Sequence, residues 1–185
     1  MGQATLPYHF TRDGFIRAWE AGAFGDQRVE FVDGDIWPVV IGRWHARTVS
    51  RIMRALPGTG GEITCETLPS GDSLPDPDCW VAAADAEPVG KVGSKVAIWR
   101  PEDVLLVVEV SDGTVMADLT TKAALYGKAG YQAYWVVTKD VIYEHTEPTK
   151  AGYRVRVEYR SGDRIPVKYA DTDLAVDDLI APIST

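Results

Sequence analysis

Val104-Leu-Leu-Val-Val-Glu-Val-Ser111 is an apolar run that contains one acidic residue, Glu109, near its end. Its length and its many β-branched residues predict a buried strand. Because side chains alternate between the two faces of a strand, Glu109 and Ser111 share one face. A buried carboxylate is unfavourable unless a cation or a hydrogen-bond donor receives it, so Glu109 indicates a site at this strand end.

A second acidic residue, Asp78, stands directly before the short apolar run Cys79-Trp-Val-Ala-Ala83. This run predicts another strand, which Asp78 opens. Two carboxylates that meet at neighbouring strand ends either share a proton or bind a hard divalent cation such as Mg²⁺ or Mn²⁺. Asp76 is the alternative partner for Glu109. Asp78 is preferred because the strand follows it at once.

The segment after Ser111 predicts a turn at Asp112-Gly113-Thr114 and then a helix from Ala117 to Lys128. Asp118, Lys122 and Tyr126 recur every four residues and therefore line one face of that helix. If the helix packs over the strand end, the ammonium of Lys122 approaches the carboxylates. There it could orient a water molecule and stabilise charge on a phosphoryl group. The structural alternative is a plain surface ion pair between Asp118 and Lys122.

In the order and spacing of these residues the chain resembles the nuclease superfamily named for its P-D and (D/E)-x-K signature. Within that superfamily it resembles the restriction endonuclease family called Uma-two. The usual lysine position, two residues after the second acid, is Ser111 here, and the lysine comes from the next helix, as in Uma-two. The resemblance extends over Glu30-Phe-Val-Asp-Gly-Asp-Ile36, His45 and the segment 126–137, and covers about residues 10–180.

The resemblance implies an α/β, restriction-endonuclease-like fold: a central mixed β-sheet flanked by helices, with an N-terminal helix and a β-hairpin. It also implies metal-dependent hydrolysis of phosphodiester bonds in DNA. Asp78, Glu109 and the carbonyl of Val110 would bind Mg²⁺ or Mn²⁺, Lys122 would position the attacking water, and Glu30 would assist. These groups would be contacted and supported by Ser111, Asp118, Tyr126 and His45. For Glu30, His45 and Tyr126 a purely structural role is the alternative.

The composition predicts one domain over residues 1–185, because 185 residues with 45% hydrophobic content can bury one sizeable core. The sequence contains no apolar run of membrane-spanning length, and Met1–Pro7 lacks the pattern of a signal peptide. A cytoplasmic protein without membrane contact is therefore expected. The two cysteines, Cys65 and Cys79, are predicted to be reduced thiols.

The net charge of −8, from 19 basic and 27 acidic residues, disfavours nucleic-acid binding. The segment from Arg43 to Leu56 is an exception, with four arginines and no acidic residue. On a helix Arg43, Arg47, Arg51 and Arg54 gather on one side and could bind phosphates. The alternatives are an ordinary solvated face or pairing with acidic residues of a second subunit.

Three functions therefore remain open at this point. The first is a Mg²⁺- or Mn²⁺-dependent endonuclease acting on DNA. The second, motivated by the negative charge, is a binding or assembly module that keeps the nuclease fold without useful catalysis, as a homodimer. The third is a metal-dependent enzyme that acts on a small phosphorylated molecule, which a closed pocket too narrow for a duplex would support.

The remaining patterns place further elements around the predicted site. Thr11 can cap an N-terminal helix, and Val29–Pro38 predicts a hairpin across Asp33-Gly34. Pro57–Gly61 is predicted to end the helix that begins at Arg43. The glycines, prolines and basic residues of 85–103 predict a loop beside the site. Further strands are expected at 62–68, 134–138, 141–145, 153–159 and 165–170. Tyr131, Tyr134 and Trp135 are expected to pack in the core.

Overall fold

The computed structural model describes residues 9–56 and 60–183. Along the chain its elements are α1 (Arg12–Glu20), β1 (Val29–Val32), β2 (Asp35–Pro38), α2 (Arg43–Ala55), β3 (Gly61–Thr64), β4 (Cys79–Ala83), β5 (Gly90–Val92), β6 (Val96–Ile98), a 3₁₀ turn (Pro101–Asp103), β7 (Val104–Val110), α3 (Val115–Ala117), a π-helical turn (Asp118–Lys122), α4 (Ala123–Ala129), β8 (Ala133–Val137), β9 (Val141–Thr149), β10 (Gly152–Arg160), β11 (Arg164–Val167), β12 (Thr172–Ala175) and α5 (Val176–Leu179). This α/β order confirms the predicted fold class.

The central sheet of the described residues has six strands in the order β10-β9-β8-β7-β4-β3. β7 pairs with β8 in parallel and with β4 antiparallel, so the sheet is mixed, as predicted. The helical segment from α3 to α4 connects the two parallel strands, as a parallel pair requires. β7 therefore lies inside the sheet, and six of its seven residues are buried.

Two apolar clusters cover the faces of this sheet. On one face Leu106, Val108 and Val110 of β7 pack with Ile52 of α2 and Leu179 of α5. On the other face lie Val107 of β7, Tyr126 of α4 and Tyr134 of β8. Tyr131, Tyr134 and Trp135 are all buried, which confirms their predicted place in the core. Glu109 thus lies near the end of a strand that is packed on both faces.

The N-terminal part of the fold has the elements that were predicted from the sequence. The hydroxyl of Thr11 accepts a hydrogen bond from the amide of Gly14 and caps α1, as expected. β1 and β2 form the predicted hairpin, and Asp33 and Gly34 at its turn have φ angles of 50° and 91°. These positive angles are those of a tight hairpin turn.

The segment 85–103 is folded, and the prediction of a loop there was wrong. It contains the hairpin β5–β6, whose turn includes Gly93 at a φ of 59°. Val96 of this hairpin is buried in a third apolar cluster, together with Phe15 and Phe31. Strands of three residues are too short to produce a recognisable alternation, so the sequence could not reveal them.

The acidic C-terminal part also contains structure that the sequence did not predict, namely β12 and α5. Arg51 of α2 donates hydrogen bonds to the backbone carbonyls of Asp177 and Asp178 in α5, at 2.7 and 2.8 Å. This contact fastens the end of the chain to α2. The predicted helix stop at 57–61 lies mostly outside the described residues, as does the whole of Met1–Pro7. Among the described residues, none of the helices is long and apolar enough to cross a membrane.

Candidate active site

The paired strands β4 and β7 bring the two predicted acids to the same end of the sheet. Cys79 lies opposite Val108 in this antiparallel pair, so Asp78, one residue earlier, lies opposite Glu109. The amide of Val110 donates a hydrogen bond of 2.7 Å to Oδ2 of Asp78. This bond fixes the Asp78 carboxylate beside the end of β7. The sequence prediction that Asp78 meets Glu109 from a neighbouring strand agrees with this geometry.

His45 of α2 contacts Asp78 from the other side. Its Nε2 lies 3.0 Å from Oδ2 and 3.0 Å from Oδ1 of the carboxylate. The side chains of His45 and Asp78 are 10% and 14% exposed, so the pair is largely shielded from water. The Nδ1 atom of His45 is buried and has no hydrogen-bond partner among the residues that the structure describes. His45 thus belongs to the site through Asp78, although it is distant in sequence.

Lys122 forms the centre of a cluster of carboxylates on the α4 side of the sheet. Its Nζ lies 2.8 Å from Oε1 of Glu109, 3.0 Å from Oε1 of Glu30 and 3.8 Å from Oδ1 of Asp118. Tyr126 donates a further hydrogen bond of 2.9 Å to Oε1 of Glu109. All five side chains are buried. The helix face predicted from the spacing of Asp118, Lys122 and Tyr126 therefore does meet Glu109.

Asp118 is held in place by hydroxyl groups from the turn before the helix. Ser111 and Thr114 both donate to its Oδ2, the second at 2.6 Å. The hydroxyl of Tyr134 donates to the backbone carbonyl of Asp118 at 3.1 Å. Ser111 therefore does contact the site, as the strand alternation predicted. Thr114 was not predicted, because an apolar residue follows it and no local pattern distinguishes it.

Asp76, the alternative to Asp78, points to different partners. Its carboxylate pairs with Arg28 and accepts a hydrogen bond from Thr67, and its amide donates to Oε2 of Glu30 at 3.2 Å. Glu30 therefore connects Lys122 to the backbone beside Asp76. The sequence did not indicate Arg28, since its partner lies 48 residues away and only the fold brings them together.

Burial and neighbouring charges shift the ionisation of this cluster. Burial raises the pKa of Glu109 to about 8, against the opposing effect of the Lys122 ammonium; the carboxylates of Asp78, Asp118 and Glu30 raise it further. For Lys122, burial lowers the pKa, but the charges of Glu109, Glu30 and Asp118 outweigh it, and the pKa is raised above its ordinary value. The lysine therefore stays protonated at neutral pH.

The donors at this strand end suit a hard divalent cation. Glu109, Glu30 and Asp118 approach the ammonium of Lys122, and Asp78 lies at the same strand end, where its carboxylate contacts His45 and the Val110 amide. Carboxylate and carbonyl oxygens are the ligands preferred by Mg²⁺ and Mn²⁺. Within 9–56 and 60–183, no three His, Cys, Asp or Glu side chains converge on one centre. The oxygen donors that β4 and β7 bring to this strand end are the carboxylates of Asp78 and Glu109, whose chemistry suits such an ion.

A cleft of about 890 Å³ opens beside Asp78. Asp78, Asp76 and His45 border it, together with residues of α2 and of the β5–β6 hairpin. The segment 85–103 thus lies next to the site, as expected, although as a hairpin. Of the Asp78–Glu109 pair, Asp78 thus borders the cleft, whereas the side chains of Glu109 and Lys122 are buried.

The arginines of α2 have different surroundings. Arg43 and Arg47 are exposed, Arg54 is exposed and borders the cleft, and Arg51 donates to the carbonyls of α5. Arg54 also donates to the carbonyl of Ser50 at 3.0 Å. The four arginines therefore lie on a helix, as predicted. They do not form one uniform row of phosphate-binding groups. The structure gives Arg51 a partner in its own chain.

A family model described as "Putative restriction endonuclease", that of Uma2 (Uma-two), matches residues 15–174. The chain belongs to the Uma2 family. This Uma2 protein also resembles the crystal structure of a protein from Anabaena variabilis that is described as a "putative nuclease", with a TM-score of 0.65 and 19% sequence identity. The match covers 92% of this chain and 97% of the other. At this identity the likeness shows the fold. No match was found among curated proteins.

Membership in Uma2 confirms the resemblance found in the sequence, and the fold agrees with it. It supports a nuclease of the restriction-endonuclease type as the coarse function. The roles of individual residues rest on the geometry of the site.

Proposed function

We propose that this Uma2 protein is an endonuclease that hydrolyses phosphodiester bonds in DNA and depends on Mg²⁺ or Mn²⁺. One observation carries the proposal: the carboxylate of Asp78 is fixed at the end of β7, opposite Glu109, and the ammonium of Lys122 lies 2.8 Å from Glu109. Two acids and an amine from three separate segments meet at this strand end. Family membership supports the same class of reaction.

Asp78, Glu109 and the carbonyl of Val110 would hold the metal ion. When bound, Mg²⁺ or Mn²⁺ supplies positive charge for the phosphoryl oxygens and favours ionisation of water. Asp78 is already directed by the Val110 amide and by His45, so its carboxylate needs little reorganisation. Glu109 has to be ionised to bind a cation, and Lys122 and Tyr126 both donate to its Oε1.

Lys122 would orient the attacking water. An ammonium group carries three N–H donors, and Lys122 contacts Glu109 and Glu30 at hydrogen-bond distance. The remaining N–H can donate to water and stabilise negative charge that develops in the transition state. Glu30 fixes the direction of the ammonium from one side, and Asp118, held by Ser111 and Thr114, does so from the other.

The proposal is tested by incubating purified protein with DNA in Mg²⁺, in Mn²⁺ and in EDTA. Cleavage is expected only with the divalent metals. Asp78→Ala, Glu109→Ala and Lys122→Ala are each expected to abolish it. Asp85→Ala, at an exposed aspartate just beyond the other end of β4, is the matched control for Asp78→Ala. Cleavage that survives Glu109→Ala would reject the metal assignment.

The same proposal includes the setting in which the enzyme acts. It is taken to be one domain over residues 1–185, located in the cytoplasm, with DNA as substrate and a second copy as partner in a homodimer. The exposed arginines Arg43, Arg47 and Arg54 would approach phosphates around the site. Light scattering measures the oligomeric state. A monomer at working concentration would reject the dimer but would not contradict the proposed reaction.

A binding or assembly module without catalysis is the second candidate. It is favoured by the closed ion pairs of Lys122 with Glu109 and Glu30, and by the net charge of −8. Titration calorimetry with Mn²⁺ separates the two functions. If the protein is the enzyme, wild type should bind Mn²⁺ and Asp78→Ala should bind it more weakly. If the protein is an inactive module, the heat of Mn²⁺ binding should be the same in both.

A further inference from the structure

We infer that the cleft beside Asp78 receives an unpaired nucleotide base, so that the substrate is DNA whose target nucleotide lies outside a duplex. The inference rests on the proposed nuclease function and names its substrate class. It follows from the position, the walls and the charges of the cleft.

The position of the cleft connects it to the reacting groups. Asp78 and His45 border the cleft, and Asp78 is held by the end of β7. A phosphodiester placed at Asp78 therefore has its neighbouring sugar and base at the mouth of the cleft. The cleft volume of about 890 Å³ lies within the range of sites that enclose one small ligand. A space of this volume can hold one nucleotide base with its sugar.

Several elements contribute apolar side chains to the lining of the cleft. Val49 and Met53 of α2 contribute to one side, and Trp19 of α1 and Val96 of β6 contribute to the lining as well. Apolar and aromatic side chains suit the flat faces of a base, which stacks on them regardless of its identity. They offer nothing to a phosphate. The lining therefore favours a base over the backbone of a nucleic acid.

The polar groups of the cleft lead to the same assignment. Glu66, Thr67 and Asp76 border it, and carboxylates accept hydrogen bonds from the N–H groups of a base edge while they repel phosphates. Arg28 also borders the cleft, but it pairs with Asp76, which cancels much of its charge. Because Arg28 and Asp76 are paired, Glu66 and Thr67 remain as acceptors for a base edge, beside the cations Arg54 and Lys95.

The charge of the whole chain also favours binding of a base over binding of a duplex. Binding to a continuous duplex depends largely on basic groups that neutralise many phosphates, and this chain has a net charge of −8. Arg54 and Lys95 lie at the cleft, whereas Arg51 is occupied by the carbonyls of α5. Enclosing a base supplies affinity that few phosphate contacts could give.

The experiment compares a fluorescein-labelled single-stranded oligonucleotide with the same sequence as a duplex, using the full chain. Binding is measured by anisotropy with Ca²⁺, and cleavage is measured with Mn²⁺. The single strand is expected to bind and to be cut at least about tenfold better than the duplex. A single strand with one abasic nucleotide is expected to lose cleavage next to that nucleotide by about tenfold.

Ala46→Trp tests the cleft itself, because Ala46 is exposed on α2 and borders it. The bulky ring should fill the cleft and weaken single-strand binding by about tenfold. Ala151→Trp, at an exposed position in the turn between β9 and β10, is the matched control and should leave binding unchanged. If Ala46→Trp does not fold, Ser50→Trp replaces it, since Ser50 is also exposed and borders the cleft.

The outcomes separate this inference from the proposed function. A duplex that is cut as well as the single strand, without an effect of Ala46→Trp, overturns the base site and leaves the nuclease intact. Single-strand binding that depends on Ala46 without any cleavage supports the base site and rejects the nuclease. Wild-type protein that neither binds nor cuts either DNA overturns both.

Discussion

The ammonium of Lys122 lies 2.8 Å from a carboxylate oxygen of Glu109, and both side chains are buried. Glu30 and Asp118 approach the same ammonium within 4 Å. Removing water from two charges is costly, and their attraction offsets this cost only while both partners are present. The stability of the cluster and its proposed chemistry therefore depend on the same lysine.

Replacing Lys122 with methionine should affect both properties. The change keeps the length of the side chain but leaves the neighbouring carboxylates without their cation, which is expected to cost about 3–5 kcal/mol of unfolding free energy. The cleavage rate should fall by at least about 100-fold, because a donor to developing charge is lost. Urea denaturation and a cleavage assay measure the two effects.

Lys128→Met is the matched control, because Lys128 is an exposed lysine on the same helix. It should change neither stability nor cleavage appreciably. A Lys122→Met protein that cuts DNA at the wild-type rate would show that the lysine has a structural role alone.

The raised pKa of Glu109 predicts a particular dependence on pH. Burial and the other acids raise it from 4.5 to about 8, so the folded protein holds this proton more tightly than the unfolded chain. This contribution to stability is complete below pH 4.5 and is lost as the pH rises to about 8. The unfolding free energy should therefore fall over this window, and less steeply in Glu109→Gln.

The same ionisation should control binding of the metal. A carboxylate must be deprotonated to coordinate a cation, so the affinity for Mn²⁺ should rise with pH up to about 8 and then level off. Calorimetry at several pH values measures the trend, and Asp85→Asn, at an exposed aspartate beyond the other end of β4, serves as a control that should not alter it. An affinity that does not change between about pH 6 and 8 would contradict the coupling of Glu109 ionisation to binding of the ion.

Much of this site could be predicted because its main residues belong to strong local patterns. Glu109 stands out in an apolar strand, and the four-residue spacing from Asp118 to Tyr126 places Lys122 on the face that meets it. The register of β4 and β7 then fixes Asp78 opposite Glu109. In these cases the periodicity of a strand or helix determines which side chains can meet.

Other features depend on contacts that no local pattern contains. Arg28 pairs with Asp76 across 48 residues, and Arg51 reaches the carbonyl of Asp178 across 127. The hairpin β5–β6 has strands of three residues and is held by Val96 in a cluster with Phe15 and Phe31. Tertiary packing determines these elements, so they appear only in the folded chain.

His45 is expected to act as a positioning residue for Asp78. Its Nε2 lies 3.0 Å from the Asp78 carboxylate, and groups that orient a metal ligand typically contribute about 10–100-fold to affinity or activity. His45→Ala should therefore weaken Mn²⁺ binding and cleavage by such a factor without abolishing them. His9→Ala is the control, because His9 is an exposed histidine that pairs with Asp35 outside the site. Unchanged Mn²⁺ affinity in His45→Ala would restrict the histidine to packing.

Arg51 and Arg54 should behave differently although both belong to α2. Arg51 donates two hydrogen bonds to the carbonyls of Asp177 and Asp178, so Arg51→Ala should reduce the unfolding free energy by about 1–2 kcal/mol. The dependence of DNA binding on salt should stay as in the wild type. Arg54 borders the cleft, and Arg54→Ala should reduce the slope of log affinity against log salt by about 1 with little loss of stability. Denaturation and salt titration of both variants measure the contrast, and a reduced salt slope in Arg51→Ala would show that this arginine leaves α5 to bind phosphate.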